Sequence, residues 1–112
     1  MRLAILSRAV WGVALLAAPR VLLRTVRTPA DPSTVAIARV LGARHLAQSL
    51  VTALRPSPTV RALGMAVDGT HALTAVITAA RDRDRRVPAL IETGLAVSWI
   101  ATASAAPARR RP

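Results

Sequence analysis

The chain has 112 residues, enough for one compact domain and too few for two of ordinary size. Its hydrophobic share is 53%, which excludes intrinsic disorder, and its net charge is +11, from 16 arginines and no lysine. Cysteine is absent, which excludes a disulfide scaffold and any thiol-based metal or redox site.

Charges and prolines divide the chain into four apolar segments. The first covers residues 3–23 and ends in the basic stretch Arg24-Thr-Val-Arg27. Thr28-Pro-Ala-Asp-Pro32 cannot continue a helix, and Ser33 or Thr34 suits the N-cap of a second segment over 34–54. Arg55-Pro-Ser-Pro58 is the next breaker, with Thr59 as a candidate cap for a third segment over 60–80. The charged hairpin Arg81-Asp-Arg-Asp-Arg-Arg86 precedes a fourth segment over 87–106, where Pro88 suits a first helical turn. Residues 107–112 form a basic tail. Alanine is the commonest residue at 24, and no stretch alternates apolar and polar side chains as a half-buried strand does. The fold class expected is all-α, a single helical domain over 1–112.

Segments of about 20 residues match the roughly 30 Å of a bilayer core at 1.5 Å per residue. None is free of charge throughout, yet the charges concentrate at segment ends, and the helix bodies lack the wide polar stripe that a soluble bundle needs. The expectation is a bundle of four transmembrane helices in the cell membrane, or three plus an N-terminal anchor. A soluble basic bundle binding anionic partners is the competing reading. A cleaved signal peptide over residues 1–23 lacks a well-placed A-x-A site, since Pro19 and Arg20 follow Ala17-Ala18 directly. The positive-inside rule gives no orientation, because seven arginines fall on each side of a four-span layout.

Ionisable residues inside apolar helices are costly unless paired or hydrated, so they mark the candidate site. They are Arg39, Arg44 and His45 on the second segment, Asp68 and His71 on the third, and Glu92 on the fourth. At 100° per residue Asp68 and His71 share one face. The pairing expected is Asp68 with Arg44, or else with Arg39, while Glu92 lies close enough to its helix start to meet headgroups or water. His45, His71, Asp68 and Glu92 offer four metal-ligand side chains. They lack the paired Glu-x-x-His pattern of carboxylate-bridged bundles, and Arg44 adjoins His45, so neither a metal nor another cofactor is expected. Catalysis is not expected either: no nucleophile sits beside a base at a meaningful spacing. The arginines flank apolar helices without an aromatic stacking platform, which favours anionic lipid headgroups over nucleic acid. Small residues recur as Ala38 and Gly42, and as Gly94, Ser98, Thr102 and Ala106. The expectation is close packing inside the bundle, with homo-oligomerisation as the alternative.

Arg39-Val-Leu-Gly-Ala-Arg-His45, followed by Asp68-Gly-Thr-His71, resembles small actinobacterial four-helix membrane proteins grouped as a domain of unknown function. The resemblance covers about residues 35–105 and implies a multi-pass membrane location, with no activity attached. The function expected is a non-catalytic structural or interaction module. The alternative is a small transport or proton-pathway component using Asp68 and His71.

Overall fold

The computed structural model describes residues 2–105; the basic tail and Ala106 lie outside them. Five helices make up its secondary structure: α1 (Arg2–Ala17), α2 (Pro19–Thr25), α3 (Pro32–Leu54), α4 (Pro58–Arg81) and α5 (Arg86–Ala105). The first apolar segment is therefore two helices, not one. Proline lacks the amide that would continue the hydrogen-bond ladder, and its ring crowds the preceding turn. Ala18 leaves helical geometry at φ −139°, Pro19 starts α2, and the two axes differ by 99°. α2 closes in a Schellman turn, in which Thr28 N–H donates to the Leu23 carbonyl and Arg27 N–H to that of Arg24, with Arg27 at φ 54°.

Prolines that read as breakers also start helices here. Pro32 and Pro58 occupy first-turn positions, where a missing N–H costs nothing. This moves each cap upstream of the expected residue. Asp31, not Ser33 or Thr34, caps α3, accepting from Thr34 N–H at 3.3 Å and from Thr34 Oγ1–H at 2.6 Å. Ser57, not Thr59, caps α4 through Val60 N–H at 3.1 Å.

Two antiparallel pairs form the bundle. α1 lies along α3 and α4 along α5, while backbone contact between the pairs is thin. The first pair is close because Gly12 faces Gly42. A Cβ on Gly12 would stand 2.8 Å from the Gly42 carbonyl oxygen, and one on Gly42 would stand 2.7 Å from that of Gly12. Ala38 is buried one turn away, so the small residues of α3 do pack inside. Those of α5 do not: Gly94, Ser98 and Thr102 are exposed, and a Cβ on Gly94 would meet nothing within 4 Å.

The bundle interior is small and polar, and its exterior is aliphatic. Buried hydrophobic residues are mostly alanines (Ala38, Ala75, Ala79, Ala89 and Ala96), beside buried Arg8, His45, Asp68 and Glu92. Leu3, Leu6, Leu54, Leu63, Leu73 and Val40 each expose more than half of their surface. α4 and α5 are each long and apolar enough to cross a membrane, and α1 with α2 would make a third such span if the bent pair counts as one. α3, which carries Arg39, Arg44 and His45, does not qualify.

Candidate functional site

Two polar clusters bridge the gap between the helix pairs. In the first, Arg8 of α1 reaches Asp68 of α4 with both terminal nitrogens, Nη1 to Oδ1 at 2.8 Å and Nη2 to Oδ2 at 2.5 Å. Arg8 is 8% exposed and Asp68 3%, so this is a buried, fork-to-fork ion pair. The guanidinium also lies 4.2 Å above the Trp99 ring centre, a cation–π contact, and Trp99 Nε1–H donates to Ser7 Oγ at 3.1 Å. Gln48 adds a 3.5 Å contact to Asp68 Oδ1 from α3.

Asp68 thus pairs with neither Arg44 nor Arg39. Arg39 is exposed on the outer side of α3. Arg44 is half-buried; its Nη2 lies 3.5 Å from His45 Nδ1, and its Nε and Nη1 have no hydrogen-bond partner among the described residues. Helices α3 and α4 are neighbours in sequence, but α1 is the helix that turns a basic side chain into the gap beside Asp68.

The second cluster is built around Glu92, which is 5% exposed and not reached by solvent from the helix start. It lies seven residues into α5, because that helix begins at Arg86. Trp11 Nε1–H donates to Oε1 at 2.7 Å. Oε2 receives His45 Nε2 at 3.0 Å and His71 Nε2 at 2.7 Å. Arginine has only donors, so its approach to His45 Nδ1 makes that nitrogen the acceptor and places the ring proton on Nε2, toward Glu92. Four helices contribute to this one carboxylate. His45 is wholly buried, edge-on to both His71 and Trp99 with ring centres 5.8 and 5.1 Å away.

Of the six residues singled out in the sequence, His45, His71 and Glu92 meet in one cluster. Asp68 belongs to the other, Arg44 borders the first, and Arg39 joins neither. Asp68 and His71 both face inward from α4 but take different partners. Sequence reading missed Arg8, Trp11 and Trp99. One signal could have found Arg8: with Trp11, Gly12, Leu15 and Pro19 it follows helical spacing along a single stripe, which placed a charge on the buried face of an apolar helix.

Next to the Glu92 cluster lies a cavity of about 440 Å³, within the range of small-molecule sites. Trp11, His71 and Glu92 line one end of it, and Thr34 and Arg85 the other. The walls between are aliphatic, including Leu15, Ile37, Leu41, Ala75 and Ile91, with Leu22 and Leu23 of α2 also in the lining. The ligand-type atoms of His45, His71 and Glu92 all lie within 4.8 Å of one another, a spacing that could hold a metal ion. The chain matches no family model, no curated protein and no solved structure.

Proposed function

We propose that this chain is a small, non-catalytic, membrane-embedded module that binds a lipid-phase molecule in its half-open cavity. The observation carrying the proposal is a 440 Å³ aliphatic cavity with hydrogen-bonding groups at its ends, inside a bundle whose outer surface is itself aliphatic. A soluble fold buries its large aliphatic side chains and exposes its charges. Here leucines and valines face outward while Arg8, Asp68 and Glu92 are paired inside, the arrangement suited to lipid solvent. The occupant proposed has a hydrocarbon body and one hydroxyl or carbonyl group, which would meet His71 or Glu92.

The multi-pass reading also agrees with the resemblance carried by Arg39–His45 and Asp68–His71. Anionic headgroups are the partners proposed for Arg20, Arg24, Arg27, Arg81, Arg83 and Arg86, which lie in α2, at the facing ends of α4 and α5, and in the adjoining loops. A second copy of the chain is the partner proposed for the small-residue face of α5. Nucleic acid is not proposed.

Two measurements test this. Alkaline carbonate should leave the protein in the membrane pellet; release into the supernatant would remove the membrane reading. In nanodiscs, a bromine-labelled long-chain alcohol should quench Trp11, which lines the cavity, and Ala75→Phe should abolish that quenching with helicity unchanged. Equal quenching in both proteins would remove the cavity as the binding site.

A further inference from the structure

We infer that His45, His71 and Glu92 bind a divalent transition-metal ion, with its open coordination position facing the cavity. Three helices deliver the donors: α3 brings His45, α4 brings His71 and α5 brings Glu92. Two imidazoles and one carboxylate form a set used for catalytic zinc and for non-haem iron(II). Metal–ligand bonds of about 2.1 Å place tetrahedral donor atoms about 3.4 Å apart. The two edges from Glu92 Oε2 already measure 3.0 and 2.7 Å, and the third lies within 4.8 Å. Bonding geometry requires each Nε2 to draw back slightly from Oε2 and the two nitrogens to stand about 3.4 Å apart.

The surroundings favour this use of the cluster. Trp11 holds Oε1, which leaves Oε2 turned toward both histidines; such supporting contacts orient metal ligands. His71 and Glu92 line the cavity, while His45 is closed off behind them, so the vacant position opens onto the space that takes a ligand. Binding at Nε2 leaves each imidazole with its proton on Nδ1. At His45 this sets a new Nδ1–H against Arg44 Nη2, donor against donor. Arg44 must then turn away. Its other nitrogens have no hydrogen-bond partner to lose among the described residues, yet its charge still opposes a cation. The site therefore has a built-in brake, and the brake supplies a test that a merely structural cluster would not answer to.

The experiment is a Co²⁺ titration of the full chain in detergent, carrying no histidine tag, followed by visible ligand-field absorption and by Zn²⁺ competition. One equivalent should bind with bands of a four- or five-coordinate ion, and Zn²⁺ should displace it. His71→Ala should lose the bands with its helicity retained. Trp11→Phe should keep them with affinity lowered about 10- to 100-fold. Arg44→Gln should bind tighter than the wild type. Absence of bands in the folded wild type overturns the inference. So do bands that survive His71→Ala, which would place the ion elsewhere. The readout needs neither a membrane nor the cavity's own ligand, so failure of the quenching experiment and failure of this one are separate results.

Discussion

The interface between α1 and α3 and the gap between the two helix pairs are built on opposite principles. In the first, Gly12 and Gly42 bring the backbones together until no Cβ fits, and attraction comes from many short van der Waals contacts. In the second, backbones stay apart, and Arg8–Asp68, Trp11–Glu92 and His45–Glu92 span the distance with long polar side chains. A chain with few large buried hydrophobics can close one interface sterically, but it must tie the other with charge and hydrogen bonds. The wide interface is also where the cavity lies, because its walls are not drawn together. Shape holds α1 against α3, and charge ties that pair to α4 and α5.

Breaking the wide interface should cost most. Asp68→Ala strands the buried Arg8 guanidinium, and losing one partner of a buried pair typically costs about 3–5 kcal/mol. The thermal midpoint in detergent should fall sharply. Arg8→Ala should do the same, and the double variant should recover part of the loss because it leaves no uncompensated charge. Arg44→Ala combined with Asp68→Ala should instead be close to additive, since those two side chains share no ion pair among the described residues. Coupling to Arg44 larger than coupling to Arg8 would contradict the pairing described here.

The close interface should respond less, and to size alone. Gly12→Ala and Gly42→Ala each drive a methyl into facing backbone, and such overpacking costs about 1–3 kcal/mol. Gly69→Ala is the matched control. Its new Cβ meets nothing within 4 Å, so the helix should gain about 0.5–1 kcal/mol from better propensity. Thermal midpoints of the three variants sharpen the contrast. If Gly12→Ala behaves like Gly69→Ala, the two helices are not in backbone contact.

How much of this the sequence discloses follows from the same division. Local chemistry is legible: charge runs and prolines locate the breaks near residues 28, 55 and 83, and the ionisable residues of apolar segments turn inward, Arg39 excepted. Pairing across the bundle is not legible, because it depends on which helices become neighbours. Asp68 has three arginines at suitable positions, and only the packing of α1 against α3 puts Arg8 in reach. Read from sequence, Arg8 belongs to a basic helix end, which conceals it. Pro19 sits in the same blind spot: a proline near the end of a long apolar run reads as tolerable, yet the structure turns 99° there. The capping shift at Pro32 and Pro58 is a milder case, since proline both stops one helix and starts the next.

The smallest effect should come from the α2 end, where Asp31 links the α3 N-terminus to the loop before α5. Its carboxylate accepts from Thr34, the largest influence holding its pKa below the usual value, and the Arg85 guanidinium 3.7 Å away acts in the same direction. Thr34 in turn accepts from Arg85 Nε at 3.0 Å. A carboxyl whose pKa is depressed on folding contributes stability above its unfolded value, and that contribution disappears as pH falls through the lower, folded value. Between mildly acidic pH and about 3, the wild-type thermal midpoint should therefore decline slightly more steeply than that of Asp31→Asn. Asparagine caps helices well and does not titrate, so near neutral pH the variant should lose its attraction to Arg85 and one of the two hydrogen bonds from Thr34, because its amide has a single acceptor oxygen. The difference between the two profiles isolates Asp31 from the other four acidic side chains. Parallel profiles across the acid range would mean that the cap works through geometry alone and that its charge does not strengthen it.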